Sequence, residues 1–374
     1  MHKRLLALLT CTILIFSLFA CESAPKSTNN PIEMLENAPE HALAVHYIDV
    51  GQGDSILLES QGEYILIDAG EKEYGPTVCA YLEDLGVTQL DYVIATHPHS
   101  DHCGGLTDVI NSFECENFIT VETDQQTKTW VDVLLAVDET NCNYIDALVG
   151  NTYSFGESFF EILGPVGSDY DNYNDYSVVV KAVCGDNSFL FTGDMETYAE
   201  KELLAENTDL KSDVLKVGHH GSTTSSSDAF LDAVSPDYAV IMCGKGNEYG
   251  HPHLETLDNL NARGITVYRT DELSSIVAFS DKNNISFAYV NTNKVVEQAT
   301  KPQVETDVQS ENSDDSDQNV YESFDTYVGN KNSKKLHYPN CVSVEKMSDK
   351  NKVYFDTADE ALGDGYTWCQ SCHG

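Results

Sequence analysis

Histidines and acidic residues that could hold metal ions are concentrated in a few short segments of this chain. Seven of the twelve histidines fall into three clusters: His97, His99 and His102; His219 and His220; His251 and His253. In the first cluster, Asp101 stands directly before His102. Imidazole and carboxylate groups are ligands for zinc, manganese or iron. We expect His97 and His99 to bind one divalent ion, and Asp101 and His102 to bind a second.

The segments around these clusters predict an α/β layered domain, in which strands alternate with helices. Short β-branched and aromatic runs end next to the candidate ligands: residues 90–95 before the first cluster, 189–192 before Asp194, and 214–217 before the first histidine pair. The carboxylate of Asp194 could bridge two cations, as in two-metal hydrolases. His219 would then complete the ligands of the second ion.

The spacing His97-x-His99-x-Asp101-His102 followed by two glycines resembles the signature of the metallo-β-lactamase fold. Further motifs follow an order that resembles the extracellular hydrolase domain of ComEC-type competence proteins and their stand-alone relatives: His46-x-x-Asp49-Val50-Gly51-Gln52-Gly53-Asp54-Ser55, Ile67-Asp68-Ala69-Gly70, Phe191-Thr192-Gly193-Asp194, Val217-Gly218-His219-His220-Gly221-Ser222 and Tyr249-Gly250-His251-Pro252-His253. The resemblance covers residues 42–292 and implies a four-layer αββα sandwich. The membrane channel of ComEC proteins is absent from this sequence, so a role in DNA uptake is not implied.

One departure from the superfamily pattern concerns the first ion. Many members supply a further histidine between the first loop and the bridging aspartate, but no histidine occurs from 103 to 218 in this chain. The segment that begins at Asn174 stands in its place and resembles the ComEC-like replacement. The first ion would then have His97, His99 and Asp194 as ligands, with water or Asn174 completing them.

Other residues in these motifs are expected to play supporting parts. Asp68 is expected to hydrogen-bond a ligand histidine, as residues behind a metal site commonly do. Asp49 and Asp54 are expected to hold the glycine-rich turn through bonds to the backbone. His251, just before a proline, is expected to shape its turn.

The residues around the first histidine pair indicate the substrate. Ser222 opens a run of hydroxyl residues that ends at a predicted helix start, Asp228, and hydroxyls with free backbone N–H groups there form an anion site. Beside two cations, such a site favours a phosphoester; the alternative is a plain helix cap. Asp101 doubles as a candidate general base. His220 and His253 are expected to contact substrate rather than metal.

Together these features predict a metal-dependent hydrolase, a phosphodiesterase or nuclease that uses a metal-activated water at a dinuclear site. The cofactors expected are two divalent ions, zinc or manganese. Two alternatives stay open: a hydrolase of a non-phosphate ester or lactone, and a non-catalytic surface binding protein on the same fold. The protein is expected to be a monomer, with a phosphoester or nucleic acid as the candidate substrate.

Charge limits how an anionic substrate could be captured. The 374-residue chain has 21 basic and 61 acidic residues and a net charge of -40, which excludes a nucleic-acid binder held by a broad basic surface. Residues 42–292 hold 10 Lys or Arg against 42 Asp or Glu, a balance of -32, whereas residues 327–374 hold six of each. An anionic substrate is therefore expected at the metal ions or at the C-terminal segment, where Lys331, Lys334 and Lys335 lie.

The amino terminus, residues 1–21, predicts a lipoprotein signal peptide. Basic residues precede an apolar run from Leu5 to Ala20, and Cys21 follows. The run is too short to span a bilayer comfortably, and its end resembles the bacterial lipobox, so cleavage would leave Cys21 as a lipidated amino terminus. An ordinary signal peptide or a retained anchor is the alternative. Residues 22–41 predict a tether, which places the mature protein outside the cytoplasm, anchored to the cell membrane.

Residues 326–374 predict a small second domain with a structural metal, after an acidic linker, residues 293–325, that is expected to be disordered. Two ligand pairs suit a tetrahedral zinc: His337 with Cys341, and Cys369 with Cys372. A unit this small needs such a link, and the segment resembles the metal-binding module related to the amino-terminal domain of Ada. A disulfide without metal, or His373 in place of His337, is the alternative. The other cysteines of the mature chain show no pairing pattern: Cys79, Cys103, Cys115, Cys142, Cys184 and Cys243.

Overall fold

The computed structural model describes residues 38–206, 208–291 and 294–295, together with parts of the C-terminal segment: 327–331, 333–337, 344, 347–355, 361 and 364–368. The predicted signal peptide, most of the tether and most of the acidic linker lie outside these residues, as do Cys21, Cys341, Cys369 and Cys372. Their predicted roles therefore stay predictions. Within the described ranges, no helix combines the length and the apolar character needed to cross a membrane.

Two mixed β-sheets lie between residues 43 and 295. Their strands are, in chain order, β1 Leu43–Tyr47, β2 Ile56–Ser60, β3 Glu63–Ile67, β4 Gln89–Ile94, β5 Glu114–Thr120, β6 Asn143–Asp146, β7 Thr152–Phe155, β8 Ser158–Gly164, β9 Val179–Cys184, β10 Asn187–Phe191, β11 Val214–Lys216, β12 Tyr238–Ile241, β13 Thr266–Arg269, β14 Ile276–Ser280, β15 Ile285–Asn291 and β16 Lys294–Val295. The nine-stranded first sheet has the order β16-β15-β14-β1-β2-β3-β4-β5-β6, and the seven-stranded second sheet has the order β13-β12-β11-β10-β9-β8-β7.

Each sheet carries a row of parallel strands on one side. Strands β3, β4, β5 and β6 are parallel in the first sheet, and β10, β11, β12 and β13 are parallel in the second. Parallel strands in one row all end on the same side, so the loops that follow them gather at one edge of the sheet. The candidate ligands stand in these loops.

Helices cover the outer face of each sheet. In chain order the helices are Gly75–Asp84, Ser100–Cys103, Leu106–Ser112, Lys128–Thr140, Thr197–Ala205, Asp228–Val234, Leu254–Ala262 and Thr270–Leu273, and short 3₁₀ turns occupy Lys72–Tyr74, Tyr173–Tyr176, Gly218–Gly221 and Asp349–Asn351. Side chains alternate between the two faces of a strand. One face of each sheet packs against the helices and the other packs against the second sheet. On β1, Val45 and Tyr47 pack towards the second sheet, while Ala44 packs against the helices with Val78 and Leu82.

Three apolar layers follow from this alternation. One lies between the sheets, and one lies under the helices of each sheet. The result is helix, sheet, sheet, helix, so the predicted αββα sandwich is confirmed.

The structure pairs Cys115 with Cys142 in a disulfide, their Cα atoms 5.4 Å apart. The sequence showed no pairing pattern for them. The two residues are 27 positions apart because the helix Lys128–Thr140 connects the parallel neighbours β5 and β6, and no local spacing reveals such a crossover pair. The other described cysteines, Cys79, Cys103, Cys184 and Cys243, are free and buried.

The described part of the C-terminal segment forms a small sheet. Its strands are β17 Tyr327–Asn330, β18 Lys335–His337, β19 Lys352–Phe355 and β20 Thr367–Trp368, in the order β19-β17-β18-β20. His337 ends β18 and is only 4% exposed. It is the one predicted zinc ligand among the described residues, so the zinc site stays a prediction.

Candidate functional site

Loops at the carboxyl ends of the parallel strands bring the candidate ligands of the catalytic domain together. Asp68 follows β3 and the segment His97–His102 follows β4 in the first sheet. Asp194 follows β10 and the pair His219–His220 follows β11 in the second sheet. Because the sheets pack face to face, side chains from both loop sets reach one site.

Four side chains form a compact set of potential ligands, which we call the Asp194 group: Asp101, His102, Asp194 and His220. Their ligand atoms all lie within 4.8 Å of one another. His102 Nε2 is 3.2 Å from Asp194 Oδ1, and His220 Nε2 is 3.4 Å from Asp194 Oδ2. His220 Nε2 is also 3.2 Å from Asp101 Oδ2. Asp194 therefore faces a different imidazole with each of its oxygens.

Hydrogen bonds from outside the group hold both imidazoles in one orientation. His102 Nδ1 donates to Asp68 Oδ2 over 2.8 Å, so the predicted bond from Asp68 to a histidine of the loop is present. His220 Nδ1 donates to the Met242 carbonyl over 2.9 Å. Each ring therefore turns its Nε2 towards the carboxylates, which is how such partners orient ligand histidines.

His97 and His99 stand next to the Asp194 group and face each other, with His97 Nε2 3.1 Å from His99 Nδ1. Thr96 Oγ1 donates its proton to Asp68 over 2.6 Å, so it accepts from His97 Nδ1 at 3.1 Å. His97 Nε2 is left with its lone pair. Burial, with help from nearby His102, holds the pKa of His97 well below its usual range, and burial also lowers the pKa of His99. Both rings are neutral at neutral pH, the form that binds metal.

The structure places the first histidine pair differently from the sequence prediction. His220 lies within the Asp194 group, whereas His219 lies beside it, with Nε2 3.7 Å from Asp194 Oδ2. His219 Nδ1 faces Thr224 Oγ1 at 3.0 Å and Glu196 Oε1 at 3.3 Å. Both histidines have left-handed backbone, with φ of 48° and 54°, and this turn swings the second ring inward. Sequence spacing does not reveal such a turn.

The second histidine pair also differs from the prediction. His253, expected to contact substrate, is 5% exposed, and its Nδ1 accepts from the Thr223 N–H over 3.0 Å. It therefore supports the turn after the first pair. His251, expected only to shape its own turn, has its ring centroid 5.5 Å from that of His219 and 6.3 Å from that of His220.

The anion site predicted at the start of the helix Asp228–Val234 is filled by the protein itself. The buried carboxylate of Glu200 accepts from the backbone N–H groups of Ser226 and Ser227. Ser222 Oγ accepts from Thr224 Oγ1 at 3.1 Å and is buried. The prediction was wrong here because a carboxylate from a neighbouring helix takes the free N–H groups.

The sequence did not predict the buried ion pair that Lys216 and Asp54 form next to the Asp194 group. Lys216 is fully buried at the end of β11, where its Nζ contacts the carboxylate of Asp54 and donates to the Gly193 carbonyl over 3.1 Å. Asp54 Oδ1 lies 3.4 Å from His220 Nδ1. The available signal was a lysine inside the apolar run 214–217, where a charge needs a buried partner.

Asn174, predicted to complete the first ion's ligands, is nearly buried. Its Nδ2 donates to Glu196 Oε1 over 3.0 Å, and its Oδ1 has no hydrogen-bond partner. Burial lowers the pKa of His99, and a hydrogen bond with the Asn174 side chain acts in the opposite direction. Asn174 therefore lies beside His99, one of the two histidines predicted to bind the first ion.

The Asp194 group fits a divalent cation on its own chemistry. His102 Nε2 and Asp194 Oδ1 are buried only 3.2 Å apart, and neither atom makes a well-aligned hydrogen bond to any described residue. Two imidazole Nε2 atoms converge on carboxylate oxygens, and only protons or cations between them make that arrangement stable. Nitrogen and oxygen donors in this number suit zinc or manganese.

Metal binding to the Asp194 group is expected to release protons. Burial alone would lower the pKa of His102 and of His220, but Asp194 and its neighbours raise both well above the usual value. Without metal, both rings are therefore protonated at neutral pH, and a cation has to displace these protons. We expect metal affinity to rise with pH through the neutral range. Calorimetric titration in buffers of different ionisation enthalpy measures the release; the same heat in every buffer would contradict it.

Comparisons with known proteins identify the family of the domain that carries this site. A model of the metallo-beta-lactamase superfamily matches residues 48–245, just over half of the chain. The chain is 30% identical over 259 residues to ComE operon protein 3 of Bacillus subtilis (strain 168), covering 64% of this chain and 33% of that protein. It is 33% identical over 246 residues to Competence protein ComA of Neisseria gonorrhoeae, covering 65% of this chain and 33% of that protein.

Among solved structures, the metallo-beta-lactamase fold protein YhfI from Bacillus subtilis is similar at 13% identity and a TM-score of 0.40, covering 63% of this chain and 98% of that one. The chain spans about a third of the length of the curated relatives named above. The superfamily model covers the segment from β2 to the loop after β12 together with the loops that carry the Asp194 group. The chain therefore belongs to the metallo-beta-lactamase superfamily, and within it resembles the competence proteins.

Proposed function

We propose that this protein is a metal-dependent phosphodiesterase or nuclease. The observation that carries the proposal is the Asp194 group, two carboxylates and two imidazoles with ligand atoms within 4.8 Å, next to the neutral pair His97 and His99. His102, Asp194, His220 and Asp101 would hold one ion, and His97 and His99 with Asp194 a second. Two divalent ions would polarise a phosphoryl oxygen and acidify a water molecule.

Asp101 is the residue of this group best suited to accept a proton from water. Its side chain is 26% exposed, whereas that of His102 is fully buried. Burial would raise the pKa of Asp101, but His102 and His220 lower it far below its usual range. The carboxylate is therefore ionised at neutral pH, and His220 fixes its position from one side. A water on the open side could pass its proton to Asp101.

A second candidate is hydrolysis of an uncharged ester or lactone. Two observations favour it. Glu200 occupies backbone N–H groups that would otherwise bind an anion. The balance of -32 across residues 42–292 also repels anions at long range. The phosphodiester stays the first candidate because cations at the site would dominate the local field.

Turnover of defined substrates decides between the two. The purified protein is assayed with Mn²⁺ or Zn²⁺ on single-stranded DNA, a cyclic dinucleotide, a generic phosphodiester and a lactone. We expect metal-dependent cleavage of a phosphodiester that His97→Ala abolishes. Cleavage of the lactone alone would favour the second candidate. No turnover, with a binding partner still bound by His97→Ala, would indicate a non-catalytic binding protein.

We extend the proposal to location and to the C-terminal segment. Lipid on Cys21 would anchor the protein outside the cytoplasm, and the disulfide Cys115–Cys142 is typical of an oxidising compartment. A zinc held by His337, Cys341, Cys369 and Cys372 would stabilise the tail. Mass spectrometry of the mature protein is expected to show a lipidated Cys21, and metal analysis to show zinc that Cys369→Ser removes. An unmodified residue 21, or full zinc content in the variant, would contradict the respective assignment.

A further inference from the structure

An exposed tyrosine leads away from the Asp194 group on one side. The ring of Tyr249 stacks on His251, with centroids 5.7 Å apart and planes at 24°. The His251 ring in turn lies 6.3 Å from that of His220 at an angle of 30°. Tyr249 is 55% exposed, so an aromatic surface reaches from solvent to a ligand of the proposed metal site.

A longer series of tyrosines begins at the other end of the row of histidine rings, at His99, which follows His97, His102 and His220 in that row. The Tyr173 ring lies 6.1 Å from that of His99, and Tyr176 lies 6.0 Å beyond it. Tyr170 and then Tyr198 continue the series at 5.0 and 6.0 Å. Tyr198, the outermost ring, is 61% exposed.

A cavity of about 410 Å³ adjoins this second series and has Tyr176 in its wall. Leu148 and Val149 also line it and are 59% and 47% exposed. Most of its lining is apolar, although Glu122 and Asp146 also line it, and a concave space with exposed aliphatic side chains at its rim suits a flat, largely apolar group.

Carboxylates hold two rings of the tyrosine series by their hydroxyl groups. Tyr173 donates to Asp124 Oδ1 and Tyr170 donates to Glu202 Oε2, each over 2.7 Å. These carboxylates repel the phosphate backbone of a nucleic acid, so the hydroxyl edges of the two rings contribute no binding energy. Any affinity for a nucleic acid must come from the ring faces, and base stacking on tyrosine does not depend on charge.

We propose that the aromatic rings on both sides of the metal site bind bases of a single-stranded nucleic acid by stacking, with Tyr249 on one side of the scissile phosphodiester and the series from Tyr173 to Tyr198 on the other. The inference rests on the proposed function, because it assumes that a phosphodiester lies at the Asp194 group. The substrate would then be bound through its bases at the faces of the tyrosine rings, because the negative charge of the domain repels its phosphates. Tyr249 and Tyr198 are then specificity-determining residues.

Equilibrium binding without metal tests the inference independently of catalysis. The full-length protein in detergent and a chelator is titrated with a fluorescent oligothymidylate of about 12 nucleotides, and with an abasic strand of the same length. We expect the abasic strand to bind at least about tenfold more weakly. Tyr249→Ala and Tyr198→Ala should each weaken oligothymidylate binding by about tenfold, and the Phe variants should restore it. Phe159→Ala, which removes a 39% exposed ring outside the series, is the matched control.

Salt dependence separates stacking from capture by lysines. Raising KCl from about 50 to about 200 mM weakens a binder that relies on many phosphate contacts by orders of magnitude; here affinity should hold or increase. Equal binding of both strands, unchanged binding by both Ala variants, a steep loss with salt, or preference for a neutral oligosaccharide would each overturn the inference. Base-dependent binding without cleavage in the presence of metal would reject the proposed hydrolase function alone.

Discussion

Asp194→Asn should lower hydrolysis by about a thousandfold, the scale seen when one group that stabilises charge in a transition state is removed. The substitution keeps the shape of the side chain and removes its charge. Each oxygen of Asp194 faces the Nε2 atom of a different imidazole, His102 and His220, so one substitution removes the charge that acts on both rings. Total metal content, including the zinc proposed for the tail, should fall from about three ions per chain to fewer than two.

The measurement combines kinetics with elemental analysis on the same preparation. Asp84→Asn, an exposed carboxylate at the end of the helix Gly75–Asp84, is the control for loss of one negative charge and should change neither quantity. The position of Asp194 would have to be reassigned if its Asn variant retained both metal content and rate.

Lys216→Met should destabilise the domain by about 3–5 kcal/mol, the usual effect of leaving one member of a buried ion pair alone. Lys216 is fully buried, and the side chain of Asp54 is only 2% exposed. Burial raises the pKa of Asp54, but Lys216, followed by His220 and His102, brings it below the ordinary value. Without Lys216, the carboxylate of Asp54 would stay buried with only His220 and His102 to stabilise its charge. In a domain of this size the loss corresponds to a fall in Tm of about 10 °C.

The sign of the pH effect follows from the lowered pKa of Asp54. Its contribution to stability is present above the pKa of the unfolded chain and is lost as pH falls through the folded value. In Lys216→Met this contribution shrinks, so the variant should lose the most stability near neutral pH and little in acid. Thermal unfolding across pH, in a chelator, measures the difference.

A double variant and a matched control make this prediction specific. Asp54→Asn combined with Lys216→Met removes both charges, and the pair should be less destabilised than the sum of the single variants. Lys181→Met breaks a comparable contact to Asp209, whose side chain is 82% exposed, and should cost at most about 1 kcal/mol. Equal losses of unfolding free energy in Lys216→Met and Lys181→Met would show that the buried ion pair stabilises the domain no more than the exposed one.

Much of the fold follows from local sequence patterns. The runs 90–95, 189–192 and 214–217 correspond to β4, β10 and β11 within one or two residues, because β-branched and apolar side chains suit strands that are buried on both faces. The helix Asp228–Val234 begins at the residue that its sequence predicts, Asp228. The helix Lys128–Thr140 went unpredicted.

For the candidate metal site as well, the sequence predicts what lies close along the chain and not what comes together from distant elements. Residues that share one tight loop, such as His97, His99 and His102, were identified from their spacing because neighbours in a loop stay neighbours in space. Partners that arrive from distant loops were not. The bond of His220 to Met242, the contact of Lys216 with Asp54 and the occupation of two N–H groups by Glu200 all join different elements.

The sequence by itself therefore determined the superfamily, the αββα sandwich and the set of loops from which ligands come, since motif spacing and strand periodicity are local properties. Only the tertiary structure decided which histidine of the pair His219–His220 points inward, because that depends on a left-handed turn at these two residues. It also decided that aromatic rings extend from both sides of the site. The order of those rings in space depends on how two sheets pack, and no pattern along the chain encodes that packing.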